Sequence, residues 1–185
     1  MAAPRTAREA WVEEGLRALA SGGPGAVRVE VLAQALGVTK GGFYGYFRNR
    51  DALLAEMLDS WEREATDAII ERVEEAGGDP RERLGRLFAL TAPARGASGP
   101  PDVELAVRDW ARRDDAVAGR LRRVDERRME FLRSLYRPIC ADEDEVEVRS
   151  LTAFSLRIAT PLLNVDHGGR SRAEVMELAA RWLLR

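Results

Sequence analysis

Apolar residues return every three or four positions along most of this chain, the spacing that gathers them on one face of an α-helix. Val31, Leu32, Ala35 and Leu36 mark a short helix, and Leu53, Leu54, Met57, Leu58, Trp61, Ala65, Ala68, Ile69 and Val73 a long one. Leu84, Leu87, Phe88 and Thr91 follow, then Val103, Leu105, Ala106, Val107 and Trp110. Val117, Leu121, Val124, Phe131, Leu132, Leu135 and Tyr136 line one side of the next helix. Two further sets complete the series: Val148, Leu151, Phe154, Ile158 and Leu162, then Val175, Leu178, Ala179, Trp182 and Leu183. No segment shows the strict alternation of a half-buried strand, so the pattern predicts an all-α chain of about nine helices.

The breaks between these runs carry start and stop signals. Gly77-Gly78 ends the long helix, and Asp79-Pro80 supplies a capping residue and a proline at the first helical position of the next. Pro93 to Pro101 reads as a linker rich in Pro, Gly, Ala and Ser. Asp102 opens one helix, Asp114-Asp115 another, and Pro138 closes it. Asp142 starts a helix that Pro161 is expected to kink and Gly168-Gly169 to end. Ser171 and Glu174 form a capping box for the last helix. The final two helices should therefore span roughly 143–166 and 172–184, with His167 at a helix C-terminus, where the dipole favours it.

The stretch from Val29 to Asp51 holds the densest information. Gly37 can take the left-handed conformation that ends a helix and turns the chain. Val38 is expected to plug the junction, and the Thr39 hydroxyl to cap a second short helix from about Lys40 to Phe47. Phe43 and Phe47, four apart, share a face assigned to the core. Lys40 is the only lysine among 29 basic residues, and with Tyr44 and Tyr46 it points away from that core. Gly41 and Gly42 weaken a helix by roughly 1 kcal/mol each against alanine. Close approach of the backbone to a flat partner such as DNA is a reason to keep them, and a plain glycine-rich loop is the alternative. The layout is that of a helix-turn-helix.

These residues resemble the DNA-binding domain of TetR-family transcriptional regulators. The resemblance rests on Leu32-Ala33, Leu36-Gly37-Val38-Thr39, Phe43-Tyr44, Phe47, and Arg50 followed by Leu53-Leu54, and it covers about the first quarter of the chain. Trp11, Gly15, Ala18 and Leu19 fall where that family packs its first helix, closed here by Gly22-Gly23. It implies that Lys40, Gly41, Gly42, Tyr44 and Tyr46 face the major groove or its flanking phosphates, Thr39 beside them, and that Arg50 contacts phosphate. Three positions depart from the family pattern. Val29 stands where a capping Thr or Ser is usual, which should weaken that helix start, with Arg28 as a substitute phosphate contact. Glu30 puts a carboxylate near the expected DNA surface. Gly45-Tyr46 replaces a bulky residue and a histidine, which implies a different base preference.

Net charge is −2, but it is unevenly spread: residues 1–50 balance at +3 and residues 51–185 at −5. A basic head on an acidic body suits a nucleic-acid reader. Cys140 and His167 are each the only one of their kind, poor material for a metal site or a nucleophile–base pair. The acidic run 142–145 reads as a solvated helix start. No enzyme, cofactor or metal is expected, and with neither a membrane-length apolar run nor a signal-peptide pattern a cytoplasmic location is.

The expected organisation is thus an N-terminal three-helix DNA-binding domain, 1–50, and a helical ligand-binding and dimerisation domain, 51–185. The resemblance implies a homodimer through the last two helices, a palindromic double-stranded DNA operator, and a repressor released by a small-molecule effector. Pocket candidates are Phe88, Trp110, Met129, Phe131 and Phe154, with Arg157 as polar anchor; the linker after Pro93 would be the entrance. Large apolar residues at this spacing equally fit an ordinary core. The alternative function, prompted by Val29 and Glu30, is a helical interaction module of the same fold with weak or lost DNA binding.

Overall fold

The computed structural model describes residues 7–92 and 103–185, and among them the structure is helical with no strand. Pro93–Pro101 and Asp102, read from sequence as linker and helix start, lie outside the described residues. The helices are α1 (Ala7–Gly22), α2 (Val29–Ala35), α3 (Lys40–Phe43), α4 (Arg50–Glu62), α5 (Ala68–Glu75), α6 (Pro80–Thr91), α7 (Val103–Ala111), α8 (Asp115–Tyr136), α9 (Glu143–Ala159) and α10 (Arg172–Leu183). A single π turn, Arg63–Asp67, joins α4 to α5, so these two form the one long helix read from Leu53 to Val73. Counted that way, the described residues hold nine α-helices.

Two compact units divide these helices. The first holds the described residues up to Ala65 together with Val103–Arg122, so the unit containing the head runs past residue 50. In it α1 packs against α2, α4 and α7. Trp11, Leu19, Val27, Leu32, Phe43, Phe47, Leu53, Met57 and Val107 are buried, and burial of a side chain of this size contributes about 1.5–3 kcal/mol. Gly15 explains the close approach of α1 to α4: a Cβ there would lie 2.6 Å from Met57 Sδ. Asn49 caps α4 by accepting from the Ala52 N–H at 2.9 Å.

The second unit comprises the described residues of 66–99 and Arg123–Arg185. Val73, Leu84, Leu87, Phe131, Leu132, Leu135, Tyr136, Val146, Ala153 and Leu183 form its core. Arg133 on α8 forks onto Glu147 of α9 through Nε at 2.6 Å and Nη2 at 2.9 Å. The expected caps form at Asp79, Asp142 and Ser171, with complete capping boxes at Asp79/Glu82 and Ser171/Glu174. The carbonyls at the end of α10 are taken by arginines: Arg81 donates to Leu184 O and Arg185 O, and Arg149 to Leu183 O.

Four local expectations are corrected. α9 stops at Ala159, and Thr160–Leu162 form a 3-10 turn. Pro161, which lacks an N–H, sits in the first positions of that turn and ends the helix where only a kink was expected. His167 consequently lies in the loop before α10, bridged to Arg170, and not at a helix end. Arg28, not Val29, is the N-cap of α2: its carbonyl accepts the first intrahelical bond from Leu32, and the apolar Val29 side chain is buried instead. Val38 is half exposed and does not plug the turn.

Candidate nucleic-acid interface

The turn between α2 and α3 is built by its backbone. Gly37 takes φ 68°, a conformation that costs other L-residues sterically, and the N–H groups of Gly37 and Val38 return to Gln34 O and Ala33 O at 3.1 and 2.9 Å. Thr39 is the N-cap of α3 in backbone terms, but its side chain makes no capping bond. The reason is local: the Gly42 N–H, which a capping hydroxyl would take, already bonds the Thr39 carbonyl at 3.0 Å. The exposed Thr39 hydroxyl therefore remains available to a partner.

α3 is shorter than the sequence suggested. Regular helix covers Lys40–Phe43, and turns continue through Tyr46, with Tyr44, Gly45 and Tyr46 N–H groups bonding three residues back to Gly41, Gly42 and Phe43. Three glycines in six residues favour the tighter, shorter form. This segment is fixed from below by aromatics. Phe43 and Phe47 are buried and stack with ring centres 5.3 Å apart, and Trp11 of α1 meets Phe43 edge-on at 5.3 Å. The upper surface is open: Lys40, Gly41, Gly42, Tyr44, Gly45 and Tyr46 are all exposed, as is Arg28 at the start of α2.

Among the described residues no neighbour requires the two glycines. A Cβ on Gly41 or Gly42 would meet only Thr39 Oγ1, at 3.7 and 4.0 Å, and neither residue has a positive φ. Their helix penalty is therefore accepted without an intramolecular steric reason, on an exposed ridge flanked by a cation and two phenols.

Arg50, which the resemblance assigns to phosphate, also makes bonds within the chain. Its guanidinium turns inward, Nε donating to Val27 O at 2.6 Å and Nη2 to Pro24 O, which ties the loop before α2 to the start of α4. Any phosphate contact at this position falls to what remains of the guanidinium. Two participants escaped the sequence reading. Arg8 of α1 donates Nη1 to Tyr46 O at 2.5 Å and Nε to Glu56 Oε1 at 2.8 Å, and its guanidinium carbon lies 4.5 Å from the centre of the Phe47 ring. It clamps the end of the reading segment to α1 and α4. Its partner Glu56 is 48 residues away, so no local pattern points to it. The second is the pairing of Glu30 with Lys40, Nζ to Oε1 2.5 Å. The Glu30 carboxyl is held below the usual carboxylate range by the hydrogen bond from Lys40, and the Lys40 ammonium is raised by the same bond.

The pocket candidates fall into two groups. Phe131 is in the core of the second unit, and Phe88, Met129 and Phe154 pack against that core partly buried; Arg157 on α9 is half-buried. Trp110 is buried and belongs to the first unit. Tyr136 Oη and Ser150 Oγ, neither named among the pocket candidates, are buried without a hydrogen-bond partner among the described residues. Burial pushes the Tyr136 phenol well above the usual range. Among the described residues no cluster of His, Cys, Asp or Glu is arranged to hold a metal ion, and no helix is long and apolar enough to cross a membrane.

Comparison with known proteins agrees with this geometry. Residues 6–57 match the family described as bacterial regulatory proteins, tetR family. No curated protein matches the chain significantly in sequence. Among solved structures, AibR in complex with isovaleryl coenzyme A and operator DNA superposes with a TM-score of 0.72 at 15% identity, covering 96% of this chain and 97% of that one. Reduced NemR of E. coli gives 0.70 at 15% identity, over 95% and 94%. A transcriptional regulator of the TetR/AcrR family from Thermobifida fusca gives 0.65 at 20% identity, over 96% of each chain.

Proposed function

We propose that the chain is a DNA-binding transcriptional repressor, a reading supported by the match of residues 6–57 to the tetR family and by a fold similar to that of solved regulators along nearly its whole length. It acts as a homodimer on a palindromic operator in the cytoplasm, with the reading head in residues 1–50 and effector binding and dimerisation in 51–185. The observation that carries this reading is the exposed Lys40-Gly41-Gly42 ridge with Tyr44 and Tyr46, set on a buried aromatic platform, with glycines the fold does not require. A ridge free of Cβ atoms brings the backbone against a DNA strand. Thr39, Tyr44 and Tyr46 supply hydroxyls, and Lys40 and Arg28 supply charge for phosphates. Arg50 contributes by fixing the loop that presents Arg28.

Dimerisation is supported by an apolar face left open on the last two helices and the turn between them. Val148 and Leu151 of α9, Leu162, and Leu178 and Trp182 of α10 are exposed, Trp182 at 59%. Two such helix pairs form a four-helix bundle about a two-fold axis, which also sets two heads on the two halves of a palindrome. An effector is supported by the neighbour that holds both operator DNA and an acyl coenzyme A. In this chain it would lie among Phe88, Met129, Phe131 and Phe154, with Arg157 as an ionic anchor and Tyr136 and Ser150 as hydroxyls lacking partners.

The test is binding of full-length protein to duplex DNA. Tyr44→Ala and Lys40→Ala, both at exposed positions, are expected to keep the wild-type melting temperature and lose specific binding by at least tenfold, the loss of roughly one good contact per head. Folded variants that bind as wild type would refute the site. A second reading, a helical module without DNA binding, is favoured by one observation: the head's only lysine is already neutralised by Glu30. A partner interaction indifferent to salt would support that reading.

A further inference from the structure

The Glu30–Lys40 ion pair joins the first turn of α2 to the first residue of α3 across the glycine turn, on the face that the proposed function gives to DNA. Both side chains are more than half exposed, and an exposed pair adds little to folding stability. The turn it spans is already held by the backbone bonds of Gly37 and Val38 and by the burial of Phe43 and Phe47. The fold therefore has no need of the pair, whereas the binding surface is altered by it. Lys40 is the only lysine in the chain, a compact point charge suited to phosphate, and it is occupied. Arg28 lies within electrostatic reach of the Glu30 carboxylate and Tyr44 within reach of the Lys40 ammonium, so the pair borders groups that would meet DNA.

We propose that Glu30 is a specificity determinant: its carboxylate is an internal counter-ion that competes with DNA phosphate for the Lys40 ammonium and so suppresses binding to sequences that offer phosphates alone. The inference rests on the DNA-binding reading above. Non-specific affinity comes almost entirely from cations that neutralise phosphates and release their counter-ions. To take part, Lys40 must first leave Glu30, and the freed carboxylate then faces a polyanion. A matched operator offsets that loss through base contacts made by the neighbouring side chains. A random duplex does not, and in a dimer the loss is incurred at both heads. The Glu30 carboxyl, held low by the lysine, is ionised throughout the neutral range, so the competition is always present near neutral pH.

Wild type, Glu30→Gln, Lys40→Gln and the double variant, all full length and shown by circular dichroism to be folded, are titrated onto two duplexes at several salt concentrations with fluorescence anisotropy as readout. One duplex is enriched from a random library and the other is its scrambled counterpart. Glu30→Gln is expected to tighten binding to the scrambled duplex by about three- to tenfold, to steepen the salt dependence by about one phosphate contact per head, and to narrow the gap between the two duplexes. In the Lys40→Gln background the same change should have little effect. An unchanged affinity of Glu30→Gln for the scrambled duplex would overturn the proposal, and so would equal tightening with and without Lys40, which would indicate general charge in place of pairing. If none of the four proteins binds either duplex at low salt, the DNA-binding reading fails and takes this inference with it; wild-type binding with a flat Glu30→Gln response removes the inference alone.

Discussion

Gly42 weakens the helix that carries it, yet a methyl group there would meet nothing closer than Thr39 Oγ1 at 4.0 Å. Gly42→Ala is therefore expected to stabilise the fold by up to about 1 kcal/mol and to weaken DNA binding, because the new Cβ projects from the exposed ridge. Urea melts and anisotropy titrations on one preparation measure both effects. Destabilisation, or unchanged DNA affinity, would contradict the role given to this glycine. Arg8 invites the complementary test. Arg8→Lys retains a charge near Glu56 but loses the guanidinium fork that reaches Tyr46 O and covers Phe47. Operator affinity should fall while Lys40 and Tyr44 remain intact, and unaltered affinity and salt slope would show that the clamp does not position the reading segment.

At the scale of elements, capping and close packing decide where helices begin and how near they lie. Gly15→Val would drive its side chain into Met57, which is fully buried, and is expected to cost about 1–3 kcal/mol by overpacking, read as a lowered melting midpoint. The helix starts also fix the response to acid. The carboxyls of Glu145 and Glu174 are held below the ordinary range by the backbone N–H groups of Ala141 and Ser171, and that of Glu147 by Arg133. A lowered folded-state value means the stabilisation is complete above the unfolded value, near 4.3, and is lost as pH falls through the lower folded values. The melting temperature should be flat from about pH 6 to 8 and drop below about pH 4.5; Glu174→Gln should reduce the drop. These elements were largely legible in the sequence, because each signal is local. Asp79-Pro80, Asp142 and Ser171 with Glu174 act within one helical turn, and periodic apolar residues report the buried face wherever it packs. Phe43, Phe47, Tyr44 and Tyr46 were assigned to their correct sides for the same reason. The misses have non-local or competing causes. The Thr39 hydroxyl lost its capping partner to its own carbonyl, Val29 went inward, and Pro161 ended a helix that the apolar run appeared to continue. The inward bonds of Arg50, the Arg8 clamp and the Lys40–Glu30 pair went unforeseen because they depend on partners 10 to 48 residues away, which no spacing rule reveals.

In the whole molecule, the proposed function needs both a reading head in the N-terminal domain and the apolar face on α9 and α10. Trp182→Arg places a charge on that exposed face, where it should leave the monomer folded but shift sedimentation from dimer to monomer and abolish tight binding to a two-site duplex; a variant that sediments as wild type would exclude this face as the interface. In the proposed function, two copies of the Thr39–Tyr46 segment read the two halves of a palindrome. The decisive experiment selects bound sites from a random duplex library with purified full-length protein. The expected outcome is enrichment of an inverted repeat whose half-sites lie about one helical turn apart or a multiple of it, lost with Tyr44→Ala. Failure of folded protein to enrich any sequence at low salt, or enrichment that survives Tyr44→Ala, would contradict it.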